Sequence, residues 1–204
     1  TLTQVSTRKM RIKRSMLYKF SGIVVRLVRS ASVESSNRDF LGSASVSGQM
    51  KAEYVNPFLD GVYELFGTML GCEARRTGLA LSDGGARPRE MMALVGFSGA
   101  VKGTTGLHFP FDTGLAVAGR LLSMDITEWD DTVSDTVGEL ANIVAGSAKA
   151  RISEQVGETL ELSLPVVLHG GEFDVRAPSK AVWLDVPMTC ELGPFGLCLS
   201  FQGQ

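Results

Sequence analysis

One short stretch of the 204-residue chain can bring polar side chains to bear on a common target from a single side of a helix. Asp135, Glu139, Asn142 and Gly146 recur at intervals of four, three and four residues, and a helix of about 3.6 residues per turn gathers such positions on one face. Opposite them fall Val133, Val137, Leu140, Ala141, Val144, Ala148 and Ile152, a stripe that must face a core. Glu139 and Asn142, at i and i+3, are neighbours able to act on one small target. The carboxylate can meet a cation, and the carboxamide both donates and accepts, so it can hold a water molecule in a set orientation. Gly138, Ala145, Gly146, Ser147 and Ala150 keep the surroundings small. A glycine inside a helix costs about 1 kcal/mol relative to alanine, so Gly138 and Gly146 point to close approach by another backbone. The same pattern also describes an ordinary solvated helix face whose glycines ease packing within the fold.

The elements that must position this helix read as an α+β domain from Met50 onward. Asn56 before Pro57 suits an N-cap followed by proline at the first helical position. Phe58, Val62, Leu65, Phe66, Met69 and Leu70 then recur at helical spacing up to Gly71. Met92 to Phe97 and Gly106 to Phe109 predict two strands turned by Gly99, Lys102 and Gly103. A second helix is expected from about Asp112 to Leu122, and Thr127 with Asp130 is a box-like start for the long helix, which runs to about Gln155. Leu160 to Leu168 reads as a strand interrupted by Pro165. The alternation of Val182 to Met188 and Phe195 to Phe201 predicts a closing hairpin with one buried face.

Charge divides the chain. Residues 1–49 hold nine basic and two acidic side chains, a net of +7, and the remainder holds eleven basic and twenty acidic ones, a net of −9. The leader is serine-rich beyond Ser30 and has no steady period. It is expected to be disordered, and possibly foreign to a protein starting at Met50. The acidic remainder argues against a general nucleic-acid surface. No apolar run approaches the roughly 20 residues needed to span a bilayer. Cys72, Cys190 and Cys198 form no C-x-x-C pair, and His108 and His169 are too few to complete a zinc site with them. Reduced thiols, no metal and a cytoplasmic setting are expected. The glycines at 96, 99, 103 and 106 match neither a phosphate loop nor a dinucleotide fingerprint.

The spacing Asp135-x3-Glu139-x2-Asn142-x22-Pro165 resembles the signature of the CheC, CheX and FliY group of bacterial chemotaxis phosphatases. The resemblance extends over most of residues 50–204. It includes the opening Met50-Lys-Ala-Glu-Tyr-Val-Asn-Pro-Phe and the run Val137-Gly-Glu-Leu-Ala-Asn-Ile-Val-Ala-Gly146. It implies a single CheC/CheX-like domain, an antiparallel-rich sheet against long helices, that hydrolyses the aspartyl phosphate of a CheY-like response-regulator receiver. Asn142 would orient the attacking water, Glu139 would engage the receiver's lysine, Asp135 and Pro165 would support the motif, and Gly138 and Gly146 would admit the partner. The receiver, and not this chain, would hold Mg2+. A second Glu-x-x-Asn at Glu53 and Asn56 is set aside because Pro57 makes Asn56 a cap, and because Gln49 and Leu79 replace the expected aspartate and proline. One site resembles CheX, which implies a homodimer joined through sheet edges. A CheX-like module that docks a partner without turnover is the alternative. A chain beginning at Met50 should keep its melting temperature and its rate on a phosphorylated receiver at physiological salt; a large loss of either would make the leader part of the working protein.

Overall fold

The computed structural model describes residues 17–20, 23–27, 52–82, 90–170, 173–176 and 182–202. Two helices enter first and second among the buried layers: α1 (Ala52–Thr68) and α3 (Asp131–Val156), with the shorter α2 (Phe111–Leu122) between them in sequence. They cover an eight-stranded antiparallel sheet built from β3 (Arg75–Arg76), β4 (Ala80–Ser82), β5 (Met91–Ser98), β6 (Gly103–Phe109), β7 (Glu161–Leu162), β8 (Val166–His169), β10 (Val182–Cys190) and β11 (Gly193–Phe201). The spatial order is β3-β10-β11-β6-β5-β7, with β4 also on β10 and β8 also on β5. The α+β architecture expected from the sequence is therefore the one observed.

Alternation explains the helix-facing side of this sheet. Ala93 and Val95 on β5, Leu107 and Phe109 on β6, Val186 on β10 and Leu197 on β11 all enter the core. Phe66 of α1 stacks on Phe195 with ring centroids 4.3 Å apart, and Phe58 meets Phe97 at 5.3 Å. The second face departs from the expectation of a single buried side for the closing hairpin. Met92, His108, Trp183, Cys198 and Ser200 point that way and are buried as well. Trp183 is among the largest fully buried side chains, so this face is covered too, which alternation alone cannot report. On this face His108 Nε2 lies 2.9 Å from Asp185 Oδ1, so His108 has a structural partner that the sequence did not identify.

The proline signals work differently from the expectation. Helix α1 begins at Ala52 and carries Pro57 inside it, so Asn56 is a helical residue and not a cap. A proline there removes one hydrogen bond, the one reaching back four residues. Burial of Val55, Phe58, Leu59 and Val62 carries the helix across that gap. Pro165, by contrast, does break its strand: the expected single run from Leu160 to Leu168 is two short strands, β7 and β8, both antiparallel to β5.

Part of the leader has regular structure. β1 (Leu17–Phe20) and β2 (Ile23–Leu27) form an antiparallel hairpin, and β2 pairs with β9 (Phe173–Arg176) in a separate three-stranded sheet. These nine positions depart from the expectation of a wholly disordered leader, because backbone pairing with a distant strand needs no period of its own. The rest of residues 1–49 lies outside the described residues. A chain starting at Met50 would lose the ladder partner of β9 but no strand of the eight-stranded sheet.

Candidate functional site

Helix α3 starts at an N-cap supplied by Asp130, whose carboxylate accepts from the Val133 N–H at 2.9 Å. Thr127, expected to start the box, lies three residues outside it. The cap satisfies one of the amides a helix leaves unpaired at its start. At the other end Gly157 adopts φ 71°, a left-handed turn that suits glycine.

Two flanks of α3 are locked by its own chain. On the α1 side, a side chain at Gly61 would begin 3.1 Å from the Val144 carbonyl oxygen and 3.3 Å from Ser147 Cβ. The close helix approach therefore occurs at Gly61, a position the sequence reading passed over. Beside it Arg151 Nη2 meets Glu64 Oε2 at 2.9 Å, and Ser147 is hydrogen-bonded to both side chains. These bonds hold the Glu64 carboxyl below its usual range.

The opposite flank rests on the segment around Pro165. A Cβ on Gly138 would stand 3.2 Å from Val167 Cγ2 and 3.6 Å from Pro165 Cγ. Gly138 is buried there, and its missing side chain admits Val167 of β8 and the Pro165 ring. Pro165 itself is half-buried and serves as a buttress. The turn that presents it is held by Ser163, whose Oγ accepts from Gly96 N at 2.9 Å and donates to the Leu164 carbonyl at 3.0 Å.

The third side of α3 faces outward. Asp135 and Glu139 are exposed, and Asn142 and Gly146 are half-buried on the same ridge. Asn142 Nδ2 lies 3.5 Å from Glu139 Oε2, a long contact that leaves both groups able to bond elsewhere. A Cβ on Gly146 would meet nothing within 4 Å, so no packing within the described fold explains that glycine. The structure thus brings Asp135, Glu139, Asn142 and Gly146 together, and assigns Gly138 and Pro165 to support. Among the described residues no cluster of three or more His, Cys, Asp or Glu could hold a metal ion, and no helix is long and apolar enough to cross a membrane. His169 is exposed and stacks on Trp129 at 4.2 Å between ring centroids.

The second Glu-x-x-Asn needs a revised argument. Glu53 and Asn56 are both exposed on α1, with Asn56 inside the helix, so the cap is no longer a reason to exclude them. Leu79, 58% exposed where the motif requires proline, still separates this match from the one on α3. Gln49 lies outside the described residues.

A sheet with two long helices on one face is a fold this chain shares with solved CheC-like and CheX proteins. Residues 91–189 match the family model described as chemotaxis phosphatase CheX. A CheC-like superfamily protein from Shewanella sp. PV-4 superposes with a TM-score of 0.68 at 26% identity, covering 76% of this chain and all of that one. CheX from Vibrio vulnificus gives 0.66 at 26% identity, covering 74% of this chain and 100% of that one. CheX in the CheX–CheY–BeF3–Mg2+ complex from Borrelia burgdorferi gives 0.59 at 21% identity, covering 74% and 98%. None of the curated proteins matches the chain. The chain thus carries a CheX-type segment at residues 91–189 and shares its fold with CheC-like and CheX proteins.

The two glycines of α3 should respond oppositely to enlargement. Gly138→Val is expected to lower stability by about 1–3 kcal/mol through overpacking against Val167 and Pro165. Gly146→Leu should leave the melting temperature unchanged or raise it, because leucine is the better helix former and meets open space. Paired denaturant melts check both, and a destabilised Gly146→Leu would show that this position packs within the fold.

Proposed function

We propose that this chain is a protein-aspartyl-phosphate phosphatase acting on a CheY-like response-regulator receiver, with Asn142 orienting the attacking water and Glu139 docking on the receiver's active-site lysine. The observation that carries the reading is the exposed ridge of α3, where Glu139 and Asn142 stand side by side and Gly146 leaves room one turn beyond. The Borrelia burgdorferi CheX, whose fold this chain shares, is itself held in a complex with CheY, BeF3 and Mg2+.

The chemistry asks little of this chain beyond placement. Phosphoryl transfer depends on alignment and charge neutralisation more than on a protein nucleophile. The carboxamide of Asn142 can accept from a water with its oxygen or donate to it with its nitrogen, and so aim it in line with the scissile P–O bond. The Glu139 carboxylate, meeting the lysine, fixes the register of the two proteins. Magnesium would be supplied by the receiver. An acyl phosphate is already labile, and a hundredfold acceleration corresponds to about 2.7 kcal/mol of barrier, within reach of positioning alone. Asp135 lies one turn before Glu139 and adds negative charge to the same ridge.

Loss of phosphate from a labelled receiver in the presence of a small molar fraction of this protein tests the reading. Binding without turnover would favour a docking module instead. Asn142→Ala should abolish acceleration while leaving the fold intact, and Glu139→Ala should weaken binding to a BeF3-loaded receiver by roughly tenfold or more, the loss of a charge-assisted contact of about 1.5–3 kcal/mol. Wild-type rates in Asn142→Ala would remove water orientation from the mechanism. The proposal includes a cytoplasmic homodimer joined through a free edge of the eight-stranded sheet, at β3 and β4 or at β7 and β8; a monomeric mass by sedimentation would exclude it.

A further inference from the structure

The three cysteines show no pairing in the sequence, but the fold places two of them together, away from the α3 ridge. Cys72 follows α1 and Cys190 ends β10. Arg75 of β3 is opposite Thr189 of β10, so Cys190 falls beside the segment that leads back to Cys72. Arg120 of α2 ties the same two segments, donating from Nη1 to the Leu70 carbonyl at 3.0 Å and from Nη2 to Glu191 at 2.8 Å. The two thiols share this corner of the fold, and the nearness of Cys190 is one of the causes that raise the Cys72 thiol.

Their surroundings differ in a useful way. Cys72 is buried, whereas Cys190 is half-buried and lines an open groove of about 320 Å³ with Glu73, Arg75, Thr189 and Glu191. Cys198 is fully buried on β11, and its thiol donates to the Gly106 carbonyl at 3.4 Å. Of the three cysteines Cys190 alone is half-buried and lines the groove, its thiol donating to the Gly193 carbonyl at 3.6 Å, so it is the one a small solute entering from solvent can reach first.

We propose that Cys72 and Cys190 are a reversible redox pair, oxidised to an intramolecular disulfide by a hydroperoxide. The Cys190 sulfur attacks the outer oxygen of ROOH, the O–O bond breaks, and the products are the Cys190 sulfenic acid and the alcohol ROH. The Cys72 sulfur then attacks the Cys190 sulfur, the S–O bond breaks, and water leaves carrying the Cys72 proton. The two thiols lose two electrons in total and the hydroperoxide takes them up. Burial, with the neighbouring Cys190 and Glu191 outweighing Arg120, raises the Cys72 thiol to about 11. Cys72 is thus poorly nucleophilic towards a free oxidant and reacts only once Cys190 has become an adjacent electrophile. The crosslink would fasten the end of α1 to the last residue of β10.

The test treats the reduced full chain with a stoichiometric amount of hydrogen peroxide. Thiol titration should fall from three groups to one, peptide mass spectrometry should find Cys72 joined to Cys190 with the loss of two hydrogens, and dithiothreitol should restore all three thiols. The oxidised protein should melt higher by roughly 5–10 °C, since the bond closes a long loop in the unfolded chain. Cys198→Ser should crosslink as wild type does, and Cys190→Ser should show no shift on oxidation. Accumulation of Cys190 sulfinic acid without a crosslink, disulfides between molecules, or equal loss of Cys198 would each overturn the pair.

Discussion

Helix α3 is held between two close contacts, each made at a glycine and tight for an added side chain. Gly61 lets α1 reach the Val144 carbonyl on one flank, and Gly138 lets Val167 and the Pro165 ring reach α3 on the other. A side chain at Gly61 would press on the Val144 carbonyl and one at Gly138 on a Val167 methyl, and protein interiors have few voids to absorb the shift. With both flanks and the core face occupied, the side bearing Asp135 and Glu139 is left to meet solvent. Glu139 and Asn142 stand on that side, opposite the buried stripe of Val133, Val137, Leu140 and Val144.

That arrangement suits a site whose contribution is position. A regular helix fixes the relative placement of residues three apart more firmly than a loop does, and a helix packed on three sides cannot roll to spoil it. The pair is also only loosely self-engaged, at 3.5 Å. A strong intramolecular bond would have to be broken before either group could meet a water or a lysine, and a charge-assisted bond is the costlier kind to lose. The Glu64–Arg151–Ser147 group beside the ridge satisfies its charges internally. Polar chemistry is thus divided between a flank that holds the helices together and a ridge whose groups are open to the proposed partner.

Sheet and helix geometry meet at Pro165. In the sheet this residue is disruptive: it separates β7 from β8, and a proline cannot donate to a ladder. Against α3 the same ring is the surface on which Gly138 rests. Its long separation from Glu139 and Asn142 in sequence reflects the run of α3 to Gly157 and the return of the chain along β7. Conversely, Leu79 follows a different environment near β4, exposed and without a helix glycine against it, which is why the Glu53/Asn56 match lacks the buttress seen on α3.

The sequence by itself determined the α+β class, the long helix and its apolar stripe, and the outward alignment of Asp135, Glu139, Asn142 and Gly146. All of these follow from periodicity, which is a property of neighbours along the chain. It misplaced Asn56 because a local cap signal was weighed without the core contacts of Val55, Phe58 and Leu59, which hold a helix across Pro57. It could not separate the roles of Gly138 and Gly146, which look alike in a helix and differ only in what stands opposite them. Nor could it join Cys72 to Cys190, Glu64 to Arg151, or β2 to β9, since each pair is distant along the chain and carries no shared spacing. Tertiary structure decided these, because contact between remote residues depends on how the whole chain fills its core, and no local pattern encodes that.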